Sequence, residues 1–380
     1  MLEPVLSEPV PAFSVLMTTD AVGGVWRYSL DLCRELSRGG STVTLVCLGP
    51  APTEEQRAHA RLVPGLTLRE HAEPLEWMPE PWSGVDRAGR YLLALCDELR
   101  PDVVHLNGYS HGALELGVPK VVVGHSCVLS WWQAVEATPT PSHLTTYRER
   151  VARGLRGAQA VIAPSNAMLE SMKQNYGLES GTVIFNGSSR PRASDVHGAG
   201  RKEPFVLCAA RLWDRAKNVD ALAKAALGCE WPVMVAGAGQ APSAVTALGQ
   251  LGTEALAEWM QRAAIYALPA RYEPFGLSVL EAAATGAALV LGDIPSLREL
   301  WGDAAVYVAP DDVSSLRSAL NRLAQDASLR AALGQRARQR AARYTLERQA
   351  RCYRNVYGEL CNRAGTRGAA RPLASAARGN

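Results

Sequence analysis

The chain alternates short apolar runs with stretches of helical spacing, and it does so twice, on either side of a polar segment. The first series places strands at residues 13–18, 43–48, 103–106, 121–124, 161–163 and 183–185. Between them the periodicity is helical. From Val25 the apolar positions run through Tyr28, Leu32 and Leu36, and Gly39-Gly40 stops the pattern. The second series has strands at 205–209, 233–236, 265–268, 288–291 and 305–308. Strands that regularly alternate with helices cannot close as hairpins. They form a parallel sheet with helices on both faces.

The polar segment, residues 187–204, is rich in Gly, Ser and Pro and reads as a linker. The expected organisation is a first Rossmann-like domain over residues 1–190, a linker over 191–203, and a second Rossmann-like domain over 204–343. A helix over 344–364 then crosses back to the first domain, and residues 365–380 form a disordered tail. A chain of 380 residues accommodates two such domains, and nearly half its residues are hydrophobic, enough for two full cores. Two parallel sheets facing one another enclose a cleft, and ligands of open parallel sheets bind beyond the carboxyl ends of the strands.

Composition narrows the classes further. The net charge of +3 creates no demand for nucleic acid as a partner. The eight cysteines lie singly, without C-x-x-C spacing, as expected of a reduced cytoplasmic protein. Residues 1–12 show neither the basic nor the apolar region of a secretion signal, and no apolar run reaches membrane-spanning length. The arginine-rich stretch from Arg336 to Arg354 reads as a solvated helix face; its alternative is peripheral contact with anionic lipid at the inner membrane face.

The informative motifs follow strand ends. Asp20-Ala-Val-Gly-Gly24 precedes a helix, where Gly23 and Gly24 let backbone approach a ligand and the helix start attracts an anion; an ordinary strand-to-helix turn reads the same way. Arg211 ends the strand at 205–209, and Lys217 lies six residues on. A fork and a point charge suit a diphosphate, although isolated cations are commonly solvated. Gly237, in Ala236-Gly-Ala-Gly239, is a short fragment of a dinucleotide fingerprint. No full G-x-G-x-x-G follows a strand, which argues against NAD.

The strongest signal is an acidic pair. Between Pro274 and Gly292 the only charge is Glu281, and Glu273 stands just before Pro274. Pro274 biases Glu273 toward an extended loop conformation. Gly276 and Leu277 then open a helix whose free N–H groups suit phosphate oxygens, with Glu281 in its second turn. A carboxylate in so apolar a helix needs specific partners, and the paired hydroxyls of a ribose would serve. A partly exposed acid with a nearby arginine is the plainer reading. His125 lies one position past a strand, where a cleft residue belongs, whereas His105, within a strand, reads as a hydrogen-bonded core residue. Trp26, Trp131 and Trp132 near the cleft could cover the C–H faces of a sugar acceptor, or simply pack. No metal-binding signature occurs. Asp311-Asp312 reads as a helix cap.

These residues resemble the family-4 retaining glycosyltransferases, which have the GT-B fold. The resemblance spans roughly residues 13–360. Its most specific element is Glu273-Pro-Phe-Gly-Leu-Ser-Val-Leu-Glu281, similar to the family's E-x7-E signature. Gly23-Gly24, Ala210-Arg-Leu with Lys217-Asn218, Ala163-Pro-Ser165, Asn186-Gly187 and Ser296-Leu-Arg-Glu299 support it.

The resemblance implies a nucleotide-diphosphate sugar as donor, with UDP or GDP as the carrier, and transfer of a hexosyl group without metal or other cofactor. Gly23 and Gly24 would approach the donor phosphates, and Arg211 and Lys217 would hold the diphosphate. Glu273 would sit by the sugar. The Phe275, Gly276, Leu277 and Ser278 backbone would bind its hydroxyls or the phosphate. Glu281 would bind the ribose, and His125 would lie near the anomeric centre. The acceptor would be a carbohydrate, glycolipid or small molecule, with envelope glycan or exopolysaccharide synthesis as the setting. The loop at 236–239 lacks the acid often found between its glycines, and Trp26-Arg27 is more specific than the family pattern requires. An epimerase on the same architecture, or a silent nucleotide-sugar-binding protein, fits the same motifs.

Overall fold

The computed structural model describes residues 11–188 and 202–365. Most of the polar linker and of the tail from 365 onward lies outside the described residues. The first sheet is built from β1 (Ser14–Asp20), β2 (Thr42–Leu48), β3 (Leu66–His71), β4 (Val103–Leu106), β5 (Lys120–Val123), β6 (Ala160–Ala163) and β7 (Thr182–Val183). Its order is β3-β2-β1-β4-β5-β6-β7, with every pair parallel. The second contains β8 (Glu203–Ala209), β9 (Val233–Ala236), β10 (Thr246–Gly249), β11 (Ala263–Leu268), β12 (Ala288–Gly292) and β13 (Ala305–Val308). Its order is β10-β9-β8-β11-β12-β13, again parallel throughout.

The central strands read as unbroken apolar runs because both of their faces are covered: β4, β5, β11 and β12 are buried at every position. The two strands absent from the sequence reading, β3 and β10, each form one edge of their sheet, and neither has a fully buried residue. Edge strands carry polar and charged side chains, as in Leu-Thr-Leu-Arg-Glu-His of β3, and so lose the apolar signature. The strand expected at 183–185 is shorter and shifted, at Thr182–Val183.

Each sheet has a switch in strand order, between β1 and β4 in the first and between β8 and β11 in the second. The loop after β1 and the loop after β8 therefore open where ligands of such sheets bind. Both carry a motif: Gly23-Gly24 follows β1, and Arg211 follows β8.

The last helix, Leu346–Arg363, joins the core of the first sheet. Tyr353, Tyr357 and Leu360 are buried with Phe13, Met17, Cys33 and Leu36. The chain passes Asn186-Gly187 beside the start of this helix. Gly187 N–H donates to Gln349 Oε1 at 2.9 Å, Ser188 bridges to Thr345, and a Cβ on Gly187 would overlap the Thr345 backbone. The glycine there answers a close approach of two strands of chain.

The arginine-rich stretch is only in part a solvated face. Arg338 donates to the Thr285 carbonyl at 3.0 Å and Arg340 to the Glu299 carbonyl at 2.8 Å, so these two satisfy orphan carbonyls at neighbouring helix ends. Asp312 caps the helix Val313–Gln325, accepting the Ser315 N–H at 2.9 Å. Six of the eight cysteines are buried. Among the described residues, no helix is long and apolar enough to cross a membrane.

Candidate active site between the two sheets

The loop after β1 is shaped by Asp20, which accepts the Val22 N–H at 2.8 Å. Burial pushes the Asp20 carboxyl up to about 6, against the opposing effects of that N–H and of Arg211. Gly23 has φ 88, and a Cβ there would stand 2.9 Å from the Arg211 guanidinium; a Cβ on Gly24 would stand 3.8 Å from Leu277. The glycine loop of the first sheet thus faces the cation and the helix start of the second, the juxtaposition expected from the sequence. The helix Gly24–Arg38 begins at this point.

Arg211 sits just past β8. Its Nη2 donates to Asp214 at 2.8 Å, its guanidinium stacks 5.2 Å from the exposed Trp213 ring, and its buried Nε has no partner. Asp214 also accepts the Trp131 indole N–H at 3.0 Å and the Ala216 N–H at 3.0 Å. Burial raises the Asp214 carboxyl, but the indole, Lys217 and Arg211 together outweigh it and leave it below the usual carboxylate range. Lys217 closes the single turn Arg215–Lys217 rather than entering the next helix, and Asn218, in the left-handed conformation, follows it. Lys217 Nζ is 2.8 Å from Glu273 Oε2, with both side chains largely shielded from solvent.

Glu273 lies in the loop before the helix Leu277–Ala284, as Pro274 requires. Its carbonyl accepts from Ser296 at 2.6 Å, and the Pro274 carbonyl accepts from Ser165 at 2.7 Å. Gly276 turns into the helix with φ 87. Phe275 points into the core against Tyr344, which leaves its backbone to serve the loop. The Ser278 hydroxyl is held 2.8 Å from that of Tyr266. Glu281 is buried, and it is paired with Arg27 of the first domain. The arginine paired with Glu281 is thus not local in sequence; partly accessible to solvent, it comes from the opposite side of the cleft, one residue past Trp26.

His125 follows β5. Its Nε2 is 2.7 Å from Asn107 Oδ1, and the Tyr28 ring stands edge-on at 4.3 Å. Burial and the neighbouring His105 push its imidazole down to about 3. His105 is fully buried and hydrogen-bonded, as its position within a strand foretold.

Three expectations change. Trp26 is buried in the first core, because the helix turns this position toward the sheet, so it offers no surface to an acceptor. Trp131 is tied through its indole to Asp214 and helps join the two domains. Gly237 is explained by packing: at φ 150 its Cβ would overlap the Ala210 carbonyl, as its loop runs alongside residues 210–212. Trp132, hydrogen-bonded to Thr138 at 3.2 Å, stays partly accessible.

The sequence assigned no role of their own to Arg27, Asp20, Asn107 and Asp214, although Asp20 opens the glycine motif and Arg27 follows Trp26. Asp20 could have been found as the acid that ends a strand ahead of a glycine turn. The others carry no local signal, since each is defined by a partner distant in sequence. Glu299, in the segment Ser296-Leu-Arg-Glu299, accepts the N–H groups of Asn166 and Ala167 at 2.9 Å, capping the helix Asn166–Tyr176 of the other domain. Together with Ser165 it fastens the two halves at the back of the cleft. Among the described residues, no cluster of His, Cys, Asp and Glu could hold a metal ion.

Two parallel-sheet domains with their switch points facing across a cleft define the GT-B architecture. Residues 22–189 match the model of Glycosyltransferase Family 4, and residues 203–326 match that of glycosyl transferases group 1. The chain is therefore a glycosyltransferase of the GT-B type, in agreement with the family-4 resemblance. It is 26% identical to a glycogen synthase of Mycobacterium tuberculosis, over 80% of this chain and 83% of that one. It is 35% identical to the O-antigen chain mannosyltransferase B of Escherichia coli, over 21% of each chain. The fold is similar to that of a sucrose-phosphate synthase from Thermosynechococcus elongatus, with a TM-score of 0.73, 20% identity and coverage of 92% and 99% of the two chains. It is also similar to that of HepE from Anabaena, solved with UDP and glucose, with a TM-score of 0.68, 16% identity and coverage of 92% and 100%.

Proposed function

We propose that the chain transfers a hexosyl group from a nucleotide-diphosphate sugar to an acceptor hydroxyl with retention of configuration. The observation that carries this reading is the meeting of Gly23, Arg211, Lys217 and the start of the helix Leu277–Ala284 at the two switch points. The demanding step is departure of the nucleotide diphosphate. The bond between the anomeric carbon and the phosphate oxygen breaks, and negative charge grows on that oxygen. Arg211, Lys217 and the free helix N–H groups are preorganised for this charge. The acceptor oxygen bonds to the anomeric carbon on the same face, and its proton passes to the departing phosphate.

In this reading Glu273 orients the transferred sugar and Glu281 takes the ribose hydroxyls. His125, neutral and beside the cleft, accepts a hydrogen bond from the sugar. The nucleotide is a UDP or GDP carrier, no cofactor or metal takes part, and the enzyme works in the cytoplasm. The acceptor is a growing glycan. Local similarity to an O-antigen mannosyltransferase supports an envelope polysaccharide, and the longer similarity to a glycogen synthase supports a glucan.

The test is a thermal-shift screen against UDP, GDP, ADP and TDP sugars, followed by diphosphate release on the best donor. A ligand at 100 times its Kd stabilises the fold by about 2.7 kcal/mol. Release that depends on added acceptor is the expected result. Donor consumed without acceptor would indicate an epimerase, and binding without release would indicate a silent nucleotide-sugar-binding protein.

A further inference from the structure

Asn107 lies just past β4, beside the switch point, and every polar atom of its side chain is engaged. Its Nδ2 donates to the Thr18 carbonyl at 2.7 Å and approaches Ser29 Oγ at 3.3 Å. Its backbone N–H donates to Thr18 Oγ1 at 2.9 Å. Its Oδ1 lies 2.7 Å from His125 Nε2 and 3.1 Å from His105 Nε2. A backbone carbonyl can only accept, so the Thr18 contact fixes which end of the amide is the nitrogen. The opposite end is then an oxygen, and both imidazoles must present Nε2–H to it. His105 completes the chain: its Nδ1 accepts from the Tyr357 hydroxyl at 2.6 Å, on the final helix, 252 residues away in sequence.

We propose that Asn107 is a positioning residue for His125: its amide oxygen holds the imidazole in the Nε2–H tautomer, leaving Nδ1 as a hydrogen-bond acceptor for a hydroxyl of the transferred sugar. The Tyr28 ring against His125 restricts the same imidazole from the side of the helix Gly24–Arg38. His105 and Tyr357 hold Asn107 from the other side, so the final helix takes part in setting the ring. Burial, which lowers both imidazoles, keeps them neutral at physiological pH. A ring free to exchange tautomers would present a donor at Nδ1 part of the time and would not hold one orientation for the sugar. The role assigned to the Nδ1 lone pair rests on the transferase reading; the tautomer itself does not.

The experiment uses the full chain with 15N-labelled histidine, in the wild type and in Asn107→Leu, Asn107→Asp and Tyr357→Phe. The seven histidines are assigned with the help of His125→Gln. Side-chain 15N shifts report the tautomer, and donor kinetics separate kcat from KM. The wild type should show His125 as Nε2–H. Asn107→Leu should mix the tautomers and lower kcat by on the order of tenfold or more, with a smaller change in donor KM, since an ångström of misplacement can cost about 100-fold. Asn107→Asp, which keeps an acceptor for Nε2–H, should restore the tautomer and part of kcat. Tyr357→Phe should loosen the tautomer more mildly and covers the case in which neither Asn107 variant folds. Nδ1–H at His125 in the wild type, or an unchanged kcat in a folded Asn107→Leu with mixed tautomers, would overturn the proposal. If the wild type released no diphosphate from any donor, the transferase reading would fail, and the His125 spectra would still decide the tautomer.

Discussion

The two acids of one short signature meet two different cations in two different ways. Glu273 pairs with Lys217, and both partners of that hydrogen bond belong to the second domain. Glu281, eight residues on, pairs with Arg27 of the first domain, so this ion pair spans the cleft. The lesson is that proximity in sequence does not give the pair one function. One acid is paired within a single wall of the cleft, and the other is paired across it. In the proposed reading a ribose at Glu281 competes with Arg27, whereas a sugar beside Glu273 finds Lys217 already in place.

The largest effect expected from this division is at the second-domain wall. Arg211→Ala combined with Lys217→Ala should lower diphosphate release by about 1,000-fold or more, because removal of one preorganised donor alone can cost about 100- to 1,000-fold. Turnover near the wild-type value would remove the diphosphate assignment. Next come the acids themselves. Glu273→Gln should act chiefly on kcat and Glu281→Gln chiefly on donor KM, each by about 10- to 100-fold, the size of one or two lost hydrogen bonds to a charged group. Kinetics with the two effects exchanged would break the comparison.

Asp20 tests the first-domain side. Its folded pKa of about 6 lies above its unfolded value, so the native state holds the proton more tightly. That costs the fold stability as pH rises from about 4 through 6, and the cost is complete above 6. Asp20→Asn should therefore raise stability at pH 7 by about 1–3 kcal/mol, and the gain should vanish below pH 4. A melting temperature with the same difference at both pH values would contradict this. The smallest effect is expected for Arg27→Ala. It should destabilise the ligand-free protein by about 1–2 kcal/mol, since Arg27 is partly solvated, and tighten nucleotide binding by removing the competitor for Glu281. Weaker binding would show that Arg27 holds the donor rather than its site.

Much of this molecule was legible in order along the chain. Apolar runs of strand length gave all the central strands, because a strand covered on both faces is mostly apolar, with few polar exceptions such as His105. The edge strands β3 and β10 escaped because half of each faces solvent. Glycines and cations at strand ends marked the cleft, since a turn that must admit a ligand limits what its residues can be. Trp26 misled because a tryptophan near a cleft and a tryptophan under it have the same local sequence.

What the sequence by itself determined was a pair of parallel sheets and a set of motifs at their carboxyl ends, because burial periodicity and turn chemistry are local properties. Which side chains meet was decided only by the tertiary structure. Arg27 reaches Glu281 because the two switch points face one another. Asn107 reaches Thr18 and both histidines because β4 lies beside β1. Tyr357 reaches His105 because the last helix returns to the first core. Each of these contacts joins residues far apart in the chain, and no periodicity records a partner that the fold has yet to bring near.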